Sequence, residues 1–246
     1  GSPVGSPVAV DATNSFTGTS APITLVASLS DYTFGADFTP TDTLTYASSS
    51  SAGLTYTVLG AVTTVSIPVT SKASGMAYGS TITLSASVTP AAAGSIRFKD
   101  NGSTIVGVGA VTVNGAGAAT SVAFTPGVGS HSYTAVFTPN DAVAYQTSTS
   151  GARAFTVNRG VFLNSVRPKI LGTPKVGKKL TASVGKWSPT PAKYLYVWKR
   201  GTVTVGTAST YVAKAADRGK KLTLYVTAVR AGYTNKTVVS LAVTVK

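Results

Sequence analysis

Cysteine and glutamate are both missing from the 246-residue chain, and histidine and methionine occur once each. Without cysteine there are no disulfide scaffolds, thiol nucleophiles or thiolate metal clusters. A single histidine, His131, cannot build a His-based metal or catalytic cluster. All seven acids are Asp, and charged residues make up only 11% of the chain. With no Glu, no Lys/Glu pairing and a composition led by Thr, Ser, Ala and Val, strands are favoured over helices. Long apolar runs are also lacking. Mean hydropathy is +0.24, yet Thr, Ser or Gly interrupts every stretch short of the roughly 18–20 residues a spanning helix needs. The opening GSPVGSPVAV lacks the basic-then-apolar order of a signal peptide. The chain therefore reads as soluble, either a mature product or a piece of something longer. Paired-carboxylate, Ser-His-Asp and P-loop spacings are missing too, so nothing favours an enzyme, a metal or a cofactor.

What the chain does contain is a repeat. Residues 34–58, FGADFTPTDTLTYASSSSAGLTYTV, align without a gap on residues 133–157, YTAVFTPNDAVAYQTSTSGARAFTV, at a constant offset of 99. Ten of the 25 positions are identical, among them Phe38/Phe137, Pro40/Pro139, Asp42/Asp141 and Tyr46/Tyr145. A repeat of about a hundred residues is the size of one β-sandwich domain. The expected division is 1–60, the C-terminal half of such a domain; 61–158, a complete one; and 159–246, a basic one. A half sandwich leaves an apolar face and strand edges uncovered. Either the chain is cut from a longer array, or a neighbouring chain completes the half domain in trans, which would make a homo-oligomer.

The middle region alternates as strands do over Thr81–Val88, Ser95–Phe98, Ala119–Phe124, Ser132–Phe137 and Ala154–Val157, with Gly, Pro, Asn and Asp between. Asp100-Asn101-Gly102 is the signature of a tight primed hairpin turn. No segment carries a 3.6-residue apolar period. The fold class is all-β, tandem immunoglobulin-like sandwiches with the first incomplete.

In LSASVTP, SIRFKDNG, GSHSYTAVFTPNDAVAY and the closing STS…FTV, residues 62–158 resemble bacterial Ig-like repeats of actinobacterial surface and secreted proteins. The last part is similar to a second Ig-like module of such proteins through KKLTASVGKWSP, YLYVWKRG, STYVAKAADRGKKLTLYVTA and AGYTN. The resemblance implies an extracellular or cell-surface location and a structural or adhesive role. Being a likeness of fold, it leaves the specific job open.

Charge is distributed unevenly. Residues 1–71 hold four Asp and no Lys or Arg. Residues 72–157 hold four basic residues against two Asp, and residues 158–246 hold seventeen against Asp217 alone. In an Ig-like sandwich, Lys175, Lys178 and Lys179 fall at the A–B turn, Lys199 and Arg200 after the YLYVW strand, and Arg218, Lys220 and Lys221 at the E–F corner. These clusters, with Lys246, are expected to meet at one pole, while Lys186, Lys193, Arg230 and Lys236 lie nearer the other. Such a pole either keeps the protein soluble or binds an anionic partner, such as a cell-wall polymer, an acidic glycan or the acidic end of another copy. There is no nucleic-acid signature, since neither a recognition helix nor aromatic residues accompany the lysines.

Other residues read as structural. Asp42 and Asp141 are expected to cap turns, since each loop offers only one carboxylate and calcium takes 6–8 oxygens. Asp217 reads as a turn residue, His131 as a strand residue with no acid nearby, and Trp198 as a core residue. Trp187, in GKWSP, reads first as edge packing and second as a candidate glycan contact, to which Tyr194, Tyr196, Tyr211, Tyr225 and Tyr233 would add aromatic surface. Together these features suggest a non-catalytic stalk, spacer or fibre segment. The alternatives are a subunit of a pilus-like or phage virion assembly and a carbohydrate-binding accessory module of a secreted enzyme.

Overall fold

Alternating apolar residues in short segments can bury only one face of each strand, so the chain must pair sheets face to face. The computed structural model, which describes residues 6–11 and 17–246, does this around two cores. Apart from a 3-10 turn at Ala215–Asp217, the regular structure among these residues is strand.

In the middle sandwich, Gly94–Asp100 and Arg153–Asn158 flank the central strand Gly129–Pro139, both antiparallel to it. Asn101 and Gly102 take φ of 48° and 80°, as the primed turn after Asp100 requires. The opposing sheet pairs Leu84–Thr89 with Ala118–Thr120, Thr64–Val65 and Val69–Thr70. The inward positions of both sheets, including Leu84, Ile96, Phe98, Tyr133, Phe137 and Phe155, form one buried cluster. The basic sandwich follows the same plan. Lys193–Arg200 runs antiparallel to Lys221–Val229 through eight registered pairs, opposite a sheet of Lys169–Leu171, Lys179–Ser183 and Thr210–Val212. Trp198 fills its core, with its indole N–H donating to the Ala208 carbonyl at 2.8 Å.

The first hairpin repeats the last strands of the middle sandwich in the same register. Tyr32–Phe34 pairs with Leu54–Tyr56, with Phe34 opposite Leu54, just as Tyr133 stands opposite Arg153. Phe38 faces Ser49 and Phe137 faces Ser148, so the two phenylalanines occupy equivalent strands. Their local devices match as well. The Asp42 carboxylate accepts from the Leu44 and Thr45 N–H groups, and that of Asp141 from Val143 and Ala144. Ser51 Oγ accepts from the Ala36 N–H at 2.9 Å, and Ser150 Oγ from the Ala135 N–H at 2.8 Å. The basic sandwich has the same device, with Ser240 Oγ accepting from the Leu224 N–H.

Burial is where the copies differ. Phe38 is 41% exposed and Phe137 0%; Tyr56 is 51% exposed and Phe155 2%.

Each linker is bonded to the loops of the sandwich that follows it. Ala61 and Gln146 exchange hydrogen bonds with residues of each other's segment, and the Gln146 side chain reaches the Gly60 carbonyl. At the second joint, Gly160 bonds the Gly232 carbonyl and receives the Thr234 N–H. There Tyr78 of the middle sandwich meets Tyr233 of the basic one edge to face at 5.8 Å. Gly232, at φ 79°, lies so close to the Tyr78 ring that a Cβ would run into it.

Candidate functional site

The A–B turn, the E–F corner and the chain's final strand of the basic sandwich are joined through backbone bonds. Gly177 N–H donates to Ala213 and Ala213 N–H to Lys178. Lys246 and Pro174–Val176 bond each other, and Val245 pairs with Gly219 and Lys220. This brings Lys175, Lys178, Lys179, Arg218, Lys220, Lys221 and Lys246 to one pole, all exposed. Lys214, which the sequence reading passed over, is exposed beside them and is held by the same corner.

Lys199 and Arg200 differ from the rest. Lys199 Nζ sits 4.7 Å over the Tyr225 ring. Arg200 Nη1 donates to Asp217 Oδ1 at 3.1 Å. The pole's free cations are therefore the exposed lysines and Arg218, not the pair after the YLYVW strand.

Asp217 is a turn residue only in part, because it is also fully buried. Its Oδ2 accepts from the Tyr211 hydroxyl at 2.6 Å and the Lys214 N–H at 2.7 Å, while its Oδ1 takes Arg200. Burial alone would raise its pKa. The bonds from Tyr211, the Lys214 backbone and Arg200 outweigh burial and hold the carboxyl below its ordinary value. Tyr211 is pushed up to about 12, by burial first and the Asp217 bond second. The one acidic side chain of this region is thus spent internally on Arg200, and the lysines outside face solvent with no exposed Asp or Glu from this region among them.

At Trp187 the structure has the edge packing, and the alternative of a glycan contact is corrected. The residue is only 8% exposed, its indole N–H is donated to the Val184 carbonyl at 2.7 Å, and its ring packs edge-on against Phe162. Phe162 comes from the joint, so no loop-based reading of GKWSP could see it. Tyr211 is likewise buried and Tyr233 is occupied at the joint, which reduces the aromatic surface.

His131 also has an acid partner after all. Its Nδ1 lies 2.6 Å from Asp100 Oδ2, and its Nε2 lies 3.0 Å from the Gly127 carbonyl. Among the described residues, no three His, Asp or Glu side chains gather to hold a metal ion, and no helix is long and apolar enough to cross a membrane.

The family model of the bacterial Ig-like domain (group 3) matches residues 68–158. No curated protein matches the chain. Among solved structures, the fibronectin(III)-like modules of Clostridium thermocellum CbhA align at 17% identity and TM-score 0.28, covering 70% of this chain and 90% of theirs. Three N-terminal domains of the bacteriophage RB49 highly immunogenic outer capsid protein align at 16% and 0.30, covering 73% of this chain and 59% of theirs. The titin Z1Z2 domains, solved in complex with telethonin, align at 17% and 0.32, covering 73% and 96%. At such scores the fold rests on the strand registers and the family match. Residues 68–158 thus match the family model of the bacterial Ig-like domain (group 3), and they lie between a repeat of their own last hairpin and a basic sandwich.

Proposed function

We propose that the chain is a non-catalytic structural segment of an extracellular or cell-surface protein: a stalk, spacer or fibre piece with units at 1–60, 61–158 and 159–246, whose basic last unit docks on an anionic surface. The observation that carries this reading is the pole of exposed lysines and Arg218, with the region's one acidic side chain, Asp217, buried beneath it. The edge-to-face contact of Tyr78 with Tyr233 across the second joint supports the spacer half of the proposal, because beads that touch across a linker transmit position.

The partner class is a polyanion with closely spaced phosphates or carboxylates, such as a cell-wall polyphosphate polymer. Clustered lysines act on such a polymer as point charges without shape demands. The test is binding of the intact chain to polyglycerol phosphate. Binding is expected at about 20 mM salt and lost by about 0.5 M, where screening shortens to a few ångströms. Changing Lys175, Lys178, Lys179, Arg218, Lys220 and Lys221 to Gln should abolish it, whereas changing Lys186 and Lys193 should not. Salt-independent binding, or equal loss from both sets, rejects the proposal.

An assembly role has one specific observation in its favour, the uncovered face of the first hairpin.

A further inference from the structure

In the middle sandwich, everything that buries the last hairpin is on view. Gly94–Asp100 lines the free edge of Gly129–Pro139 from Tyr133↔Asp100 to Pro139↔Gly94. The sheet containing Leu84–Thr89 covers Tyr133, Ala135, Phe137, Phe155 and Val157. The first hairpin has the same register and the same Ser and Asp devices. Its counterparts Ala36, Phe38 and Tyr56 are nevertheless exposed, Phe34 and Val58 are half-exposed, and Leu44 is 99% exposed. The counterpart of Gly94–Lys99, carried back by the offset of 99, is not among the chain's residues.

We infer that the face of Phe34, Ala36, Phe38, Tyr56 and Val58 is a docking surface for one unit with the chemistry of residues 64–100, whose last strand adds antiparallel along residues 34–40. The hairpin edge offers the main-chain groups for such an addition, and the alternate apolar side chains specify it. Charge selects the same partner. Asp37 stands in the place of Val136, whose cross-strand neighbour is Arg97. An incoming strand of the SIRFKD type therefore sets an arginine opposite Asp37, a favourable cross-strand pair. A second copy of this chain cannot supply the unit without unfolding, since its Leu84, Ile96 and Phe98 are already 0% exposed in their own core. The occupant is thus a further unit of the same repeat type. This docking is independent of the basic pole, and either can fail without the other.

The test duplicates residues 61–99 directly ahead of Gly1, which continues the 99-residue register without a gap in the otherwise intact chain. Amide exchange at residues 34–38 should slow by at least about a hundredfold, as for residues entering a cooperative core, and a further unfolding transition should appear. Ile96→Asp and Phe98→Asp within the duplicate should remove both effects. Asp37→Arg in the extended chain should weaken protection, and Arg97→Asp in the duplicate should restore it. Fast exchange at 34–38 in the extended chain, with residues 133–137 still protected, overturns the inference. So does a dimer of the unextended chain with residues 34–38 already protected, because a second copy would then occupy the face. Failure of the charge swap to restore protection overturns the assigned register.

Discussion

The hairpins at residues 32–58 and 131–157 have one geometry and opposite fates. Their pairings superimpose at an offset of 99, down to the serine that takes an alanine N–H and the aspartate that caps the following turn. One buries its aromatic face completely and the other leaves it to solvent. Register is therefore written locally, in turns, capping side chains and the two-residue alternation. Burial belongs to the strands that lie across the face, and those are present for only one copy.

The largest expected contrast comes from truncating the equivalent aromatics. Phe137→Ala should destabilise the middle sandwich by about 3–5 kcal/mol, the usual cost of a large cavity. Phe38→Ala should change it by no more than about 0.5 kcal/mol, as for an exposed site. Denaturant unfolding followed by circular dichroism separates the two, and similar losses would mean that Phe38 is buried. The serine pair should differ less. Ser150→Ala leaves the buried Ala135 N–H without its 2.8 Å acceptor, at about 1–3 kcal/mol, and Ser51→Ala should be near neutral. Ser240→Ala should resemble Ser150→Ala, since its hydroxyl accepts from the buried Leu224 N–H.

A smaller, pH-dependent difference sets the basic sandwich apart. Because the folded pKa of Asp217 lies below its unfolded value of 3.8, its contribution is complete above that value. It fades as pH falls through the folded pKa. Acid titration of stability should show this loss, and Asp217→Asn should remove it while lowering stability at pH 7. An unchanged acid limb in the variant would mean that the carboxylate is not the group responsible.

The sequence made the duplication plain because ten identities fall on one diagonal, and a 99-residue period leaves little choice of fold. The basic pole was legible for a similar reason: once the E–F corner and A–B turn are placed on a sandwich, their lysines must meet. The pairings that depend on approach between distant segments were not legible. Arg200 and Asp217 are joined from the end of one strand to a corner 17 residues on. His131 finds Asp100 only because Gly94–Asp100 lies beside its own strand. Trp187 is covered by Phe162 from the joint, which no reading of GKWSP contains. Lys214 was missed because it sits alone among alanines rather than in a run.

The most direct measurement is residue-level amide exchange on the unmodified chain, comparing residues 34–38 with residues 133–137. Identical pairing with unequal covering predicts exchange at least about a hundredfold faster in the first set. Equal protection in the two would contradict the account, because it would mean that the first hairpin already has its partner.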